Sequence, residues 1–336
     1  MQKNELLSST IATPSKPTQI LESKTSELKN TNVLTELFIP SKENCKDYYN
    51  GLGIRNHTTS SFEKNGDGVY IYNKDKKNES KYIGKWREDK KNGEGIMLYS
   101  NGDIAIGNFE NGELHRRAAY FWYKTGYKGL SLRCETNFYQ AFFGQMIEGN
   151  FFNGFLYSNR EANPDDPNEI PKYIYFGGLT KIGKKYDDKG ILYDLTRNCF
   201  YYGQIRDDQV SGEGYEILFD KDYQLLNSIK VKFNISGKIS EIQYKSALDN
   251  QDEINFVEKK AIWFINKVIK DDVLINYFNK LIKDNEKIFG SDQCLVESKM
   301  EIIGKSLVDF KAFFRKTYSV YQEKSLSNID DNFEIQ

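Results

Sequence analysis

Cysteine is scarce in this chain. Cys45, Cys134, Cys199 and Cys294 are the only four in 336 residues, and they stand far apart with no paired spacing. That excludes a dense disulfide framework and a zinc knuckle built from CxxC pairs, and it fits a reducing compartment. Histidine is scarcer still. His57 and His115 are the only two, which leaves a His-dependent catalytic machine or a multi-His metal site little to work with. Six prolines are too few for a Pro-rich linker protein. No apolar run approaches the roughly 18 residues that a membrane-spanning helix needs. The first residues, MQKNELLSSTIATPSK, lack the apolar stretch of a secretory signal. We therefore expect a soluble, intracellular protein. Neither sign of charge dominates: Lys plus Arg is 47, Asp plus Glu is 48, and the formal net charge is −1. Such a balance argues against a nucleic-acid binder held by counterion release and against a bulk polybasic membrane clamp.

What the chain does have is rings and glycine. Hydrophobic residues make up 39%, yet 23 Tyr, 22 Phe and 3 Trp bring the aromatic share to 14%. The core must be rich in aromatic rings. From about residue 46 to 245, glycines punctuate short alternating runs. In Tyr82-Ile-Gly84-Lys-Trp86 the residues Tyr82, Gly84 and Trp86 share one face, while Ile83, Lys85 and Arg87 share the other. Period-two alternation means strand. Asn101-Gly102 reads as a type I′ hairpin turn, because Asn-Gly readily takes two positive φ angles. Asn65-Gly66, Asn92-Gly93, Asn111-Gly112 and Asn153-Gly154 carry the same signal. The middle of the chain is expected to be a run of hairpins.

The flanks differ. Residues 1–45 hold no aromatic residue before Phe38 and are rich in Ser, Thr, Lys and Glu. Such a segment cannot bury enough apolar surface to offset its ordering entropy, so we expect a disordered tail. Leu34-Thr-Glu-Leu37-Phe38-Ile39-Pro40 is an exception, with the options of docking on a partner, docking on the protein's own sheet, or being incidental. Over 246–326 the period becomes helical. Val257, Ala261, Phe264, Ile265 and Val268 form one set, Leu274, Tyr277, Phe278, Leu281 and Ile282 a second, and Met300, Ile303, Leu307, Phe310, Phe314, Tyr318 and Tyr321 a third. Asp271 or Asp272 suits an N-cap and Gly290 a C-cap. Trp263-Phe264 and Phe313-Phe314 place rings on adjacent faces, for packing on the sheet or docking on a partner. Residues 327–336 are polar and expected to fray.

Within the glycine-rich region a unit repeats. Its clearest copy is YIGKWREDKKNGEGIMLYSNGD, Tyr82 to Asp103. Ala105, Gly107 and Phe109 take the same slots in the next copy. Phe142, Gly144 and Met146 follow, then Tyr175, Gly177 and Leu179, then Tyr201, Gly203 and Ile205. A Gly-x-Gly pair recurs at 66/68, 93/95 and 212/214. Asn65 to Tyr72 reads as the second half of an earlier unit. The pattern Tyr-x-Gly-x-Trp/Phe, a short turn, then Gly-x-Gly with an aromatic resembles the MORN (membrane occupation and recognition nexus) repeat family over about residues 49–225. The unit at Gly107 has lost its Gly-x-Gly, and His115 to Cys134 keeps little of the pattern; five to seven units are expected. Gly84 between two rings leaves room for a ring of a neighbouring hairpin to lie over the backbone. One hairpin is marginal in water, so the units must join into one sheet with two open edges. The expected fold is mainly β: an extended, twisted antiparallel sheet with a C-terminal helical segment as a candidate cover.

The resemblance implies a non-catalytic scaffold for protein–protein assembly in the cytoplasm and cytoskeleton, placed by family analogy in the axoneme of a motile cilium, as in radial spokes. It also implies other proteins of a large assembly as partners, and homodimerisation through a sheet edge. Candidate binding residues are the ring set Tyr82, Trp86, Tyr99, Phe109 and Tyr201. The alternative reading is an adaptor at membranes, with weak contact to lipid headgroups such as phosphoinositides. Its candidates are Lys85, Arg87, Lys90 and Lys91 around one hairpin, with Arg116 and Arg117 beyond His115. A headgroup site needs several cations converging on one anion, and Glu88 and Asp89 dilute this set. Catalysis is not expected. No Gly-rich phosphate loop runs into Lys-Ser/Thr, and a His115–Cys134 nucleophile–base pair has no supporting motif. No cofactor, metal or nucleic acid is expected.

Overall fold

A computed structural model describes residues 35–39, 47–55, 61–74, 76–123, 138–159, 170, 172–234, 239–244 and 251–270, with isolated helical positions at 276, 280, 305, 308, 309 and 312. Fifteen strands lie in one open antiparallel sheet in chain order. They are β1 (Thr35–Ile39), β2 (Tyr48–Arg55), β3 (Phe62–Tyr72), β4 (Ser80–Arg87), β5 (Lys90–Leu98), β6 (Ile104–Glu110), β7 (Glu113–Tyr123) and β8 (Phe138–Ile147). β9 (Asn150–Asn159), β10 (Lys172–Gly178), β11 (Asp187–Asp194), β12 (Cys199–Arg206), β13 (Gln209–Phe219), β14 (Leu225–Phe233) and β15 (Ile239–Tyr244) complete it. The expected mainly-β sheet of hairpins is the observed one. Thr35–Ile39, assigned by composition to the tail, pairs with β2 from Thr35 opposite Gly53 to Ile39 opposite Tyr49. Its docking on the protein's own sheet is the option realised. His115 to Cys134 also contributes structure: His115 to Tyr123 lie in β7, whose Ala118 faces Gly144 of β8.

The turn chemistry departs from expectation. Of the Asn-Gly pairs, Asn111-Gly112 forms a two-residue tip with both φ positive, 51° and 96°. The other such tips are Glu88-Asp89 (50° and 64°), Glu148-Gly149 (49° and 73°) and Asp207-Asp208 (48° and 73°). Carboxylate residues tolerate the left-handed region when local hydrogen bonds hold them there. Asn101-Gly102 belongs to a three-residue loop. The Gly102 amide donates to Tyr99 O at 2.9 Å, and φ is positive at Gly102 but not at Asn101. That is a type I turn closed by a glycine bulge, not a type I′ turn. Asn65-Gly66 and Asn92-Gly93 lie inside β3 and β5. There the register slips from Gly84–Gly95 to Trp86–Lys91, leaving extra residues on β5. Gly93, with φ +93°, occupies that bulge. Asn153-Gly154 likewise lies inside β9, beside a register shift.

Alternation drives two apolar faces. Tyr49, Tyr82, Trp86, Phe109, Phe142, Tyr175 and Tyr201 belong to one buried cluster. Ile83, Ile96, Ile106, Phe143, Ile174, Tyr193 and Phe200 belong to the other. The second cluster includes helix α1 (Gln251–Phe264), which buries Ile254, Val257, Ala261 and Phe264 at helical spacing. A π-helical turn, Ile265–Ile269, follows and buries Ile265, Val268 and Ile269. Phe264 packs on Tyr193 and Phe200, with ring centroids 6.1 and 5.7 Å away. Trp263 is half-buried against the same cluster, so this ring pair packs on the sheet. The second and third helical sets, both proposed caps, Phe313-Phe314 and the termini lie outside the described residues.

Candidate functional site

The repeat has an atomic meaning. Tyr82 lies down over the glycine two residues ahead on its own strand and over the glycine opposite. A Cβ built on Gly84 or on Gly95 would come within 2.4 Å of the Tyr82 hydroxyl oxygen. The hydroxyl then donates to Lys85 O at 3.1 Å. The same hydroxyl-to-carbonyl bond joins Tyr49 to Leu52 (2.7 Å), Tyr175 to Gly178 (2.6 Å) and Tyr201 to Gln204 (2.9 Å). The glycines thus admit the ring of their own hairpin, not that of a neighbour. Where the tyrosine is lost the bond goes with it, as at Ala105 and Phe142. Burial raises the Tyr82 and Tyr201 hydroxyls well above the ordinary tyrosine range and takes Tyr72 and Tyr99 to about 12, so all four stay neutral donors near neutral pH.

This geometry decides what the sequence-predicted ring set can do. Tyr82, Trp86, Phe109 and Tyr201 are 0–5% exposed. Tyr82 meets Trp86 at 5.2 Å and Phe109 at 5.0 Å, both edge-to-face. These rings are core, each covered by its neighbours. Tyr99 is half-buried and stacks near Tyr120 at 5.8 Å. Lys85 and Arg87 are exposed on the face opposite Tyr82 and Trp86. Arg117 pairs with Gln145 on β8, and Arg116 is an exposed bulge residue with φ +63°. Two strands, β5 and β6, separate β4 from β7, a gap of about 14 Å at the usual strand spacing. Glu88 lies 3.9 Å from Arg87. The cations do not converge. His115 accepts a hydrogen bond at Nδ1 from the Glu148 amide (3.4 Å) and faces Glu110 through Nε2 (3.5 Å); Cys134 lies outside the described residues.

Sequence reasoning missed a second recurring device, a latch between hairpins. The second residue of each tip donates its amide to a carbonyl of an earlier hairpin: Asp89 to Lys64, Gly112 to Lys91, Gly149 to Leu114, Asp208 to Lys185. Two latches are doubled. The Asp89 carboxylate accepts from the Lys64 amide at 2.9 Å and pairs with its Nζ at 2.7 Å. Asp208 does the same for Lys185, at 2.9 and 3.1 Å. The available signal was a Lys and an Asp recurring 25 and 23 residues apart, close to the spacing of the repeat. A buried acidic pair was missed as well. Asp194 and Glu216 flank Arg197 at 2.7 and 3.5 Å beside the buried Cys199, whose thiol burial pushes up to about 12. A thiol so protonated is not a nucleophile at neutral pH. Among the described residues, no His, Cys, Asp or Glu group is placed to hold a metal ion, and no helix is long and apolar enough to cross a membrane. No protein-family model matches the chain, and no curated protein matches it.

Proposed function

We propose that this protein is a MORN-type repeat scaffold that acts by holding other proteins in a cytoskeletal assembly, with the axoneme of a motile cilium as its site. The observation that carries the reading is the unit of a tyrosine laid over paired glycines, its hydroxyl bonded three residues ahead. It recurs at Tyr49, Tyr82, Tyr175 and Tyr201 within one sheet of chain-ordered strands. Rings locked into a core in this way stiffen a long surface without forming a reaction centre. Partners would meet the polar residues between the rings, the hairpin tips and the free edge. β15 is the last strand of the sheet, and each of its residues is exposed. A partner strand or a second copy would add there by main-chain hydrogen bonds.

The test is fractionation of the source cells with detergent and then salt while the protein is followed by a tag. Retention in the detergent-insoluble, salt-resistant pellet is the expected result, and crosslinking then identifies its neighbours. Release by detergent alone would overturn the reading in favour of the membrane adaptor, with Lys85 and Arg87 as the first residues to replace.

A further inference from the structure

Lys64 occupies an unusual setting. Its Nζ lies 5.8 Å from the centroid of Tyr49, 5.5 Å from Tyr70 and 5.4 Å from Trp86, with the Asp89 carboxylate at 2.7 Å. The three rings stand against one another: Trp86 meets Tyr49 at 5.6 Å edge-to-face and Tyr70 at 5.6 Å tilted by 41°. Each is anchored by its own polar atom. Tyr49 donates to Leu52 O, Tyr70 to the Asp47 carboxylate at 2.9 Å, and Trp86 Nε1 to Gly68 O at 3.4 Å. The cage is therefore built independently of the cation inside it.

The repeat explains why it is there. The residue facing the fifth position of each unit is Lys91 opposite Trp86, Leu114 opposite Phe109, Phe151 opposite Met146, Lys185 opposite Leu179 and Val210 opposite Ile205. In the first hairpin that fifth position is Gly53, opposite Lys64. A bulky side chain is missing, and the lysine stem reaches into the space it would fill. The other two ring-facing lysines at this position lack the full set. Lys91 faces two rings, and Lys185 has Asp208 and Tyr173.

We propose that the Tyr49–Tyr70–Trp86–Asp89 cage is a recognition site for the trimethylammonium group of a methylated lysine on a partner peptide, held shut by Lys64 until the peptide displaces it. Three ring faces and one carboxylate suit a cation that needs attraction but no hydrogen bonds. A primary ammonium, with three N–H donors, is served by a single carboxylate here. The Lys64 side chain is 16% exposed and Asp89 48%, so the ligand enters from the tip side. The Asp89 carboxylate at that mouth favours a cationic ligand, while Glu88 beside it is taken up by Arg87. The Asp89 carboxylate disfavours a phosphocholine headgroup, which carries its phosphate close behind the ammonium. The site stands apart from the cytoskeletal reading and survives its failure.

The experiment titrates the full chain with paired basic peptides carrying unmodified or trimethylated lysine, with tetramethylammonium, and with phosphatidylcholine vesicles. Tryptophan fluorescence and calorimetry follow binding. The wild type is expected to prefer the trimethylated peptide by roughly tenfold. Lys64→Ala, which empties the cage, should bind it more tightly and take up tetramethylammonium. Lys64→Met, which leaves a neutral stem in the cage, should bind both more weakly than Lys64→Ala does. A wild type and a cooperatively melting Lys64→Ala that treat the two peptides alike would overturn the proposal. So would vesicle binding that Lys64→Ala strengthens without peptide selectivity. If Lys64→Ala does not fold, the wild-type peptide comparison decides, and equal binding of the two peptides overturns the proposal.

Discussion

Gly95 shows how much a single absent side chain decides. Its Cβ would sit 2.4 Å from the Tyr82 hydroxyl and 2.7 Å from the ring, and the hydroxyl tether to Lys85 O keeps the ring from moving aside. Gly95→Ala is expected to lower stability by about 1–3 kcal/mol, the range for overpacking a filled core. Gly112→Ala is the control. Nothing lies within 4 Å of its Cβ, but φ is +96°, so about 1 kcal/mol of backbone strain is expected. Urea midpoints measured side by side test both; a Gly95→Ala midpoint unchanged from wild type would mean that the ring contact contributes nothing. Lys260 gives a pH-dependent counterpart. It is buried on the sheet side of α1, 5.0 Å from the rings of Tyr202 and Phe256, and burial lowers its amine to about 8. A lysine amine depressed in the folded state destabilises below its folded pKa, and the cost disappears as pH rises toward the unfolded value. Stability should therefore climb from pH 8 to 10, before the buried tyrosines, whose folded pKa values are raised, reverse the trend. Lys260→Met should remove the climb and raise the melting temperature at pH 7. A pH profile unchanged by the substitution would contradict the assignment.

At the scale of the element, the hairpin tips hold their neighbours through latches whose worth is measurable. Lys185 is 5% exposed, while the Asp208 carboxylate paired with it is 44% exposed, so solvent screens part of the pair. Asp208→Ala should cost about 1–2 kcal/mol, less than the loss of a fully buried partner. Adding Lys185→Met should recover much of it, because the cost lies in the stranded ammonium. A double variant no more stable than the single one would show that the backbone bond alone carries the latch. These tips were only partly legible beforehand. Asn-Gly marks the turn at 111–112, but three other Asn-Gly pairs sit within strands. Glu88-Asp89 and Asp207-Asp208 turn without any glycine. Local preference names residues that can take a positive φ; the latch to the previous hairpin selects which pair does so.

For the sheet as a whole, strands run in chain order and α1 lies over one part of it, near Tyr193, Phe200 and Tyr202. Contacts between neighbours dominate such an array, so stability need not be uniform along it. Phe264→Ala should cost about 3–5 kcal/mol locally. Hydrogen exchange should quicken in β11–β13 and stay unchanged in β2–β5; a uniform change would mean that the sheet unfolds as one cooperative body. The sequence alone determined the repeat, the alternation and the switch to helical period near residue 251, because each depends on spacing along one short stretch of chain. The tertiary structure alone decided that the tyrosines lie over paired glycines and are core. It also decided that the opposite face carries α1, that Thr35–Ile39 joins the edge and that Lys64 fills a cage of three rings. Each of these joins residues on different strands or elements, and only register and burial, set by the competition of every hairpin for its neighbours, bring them together.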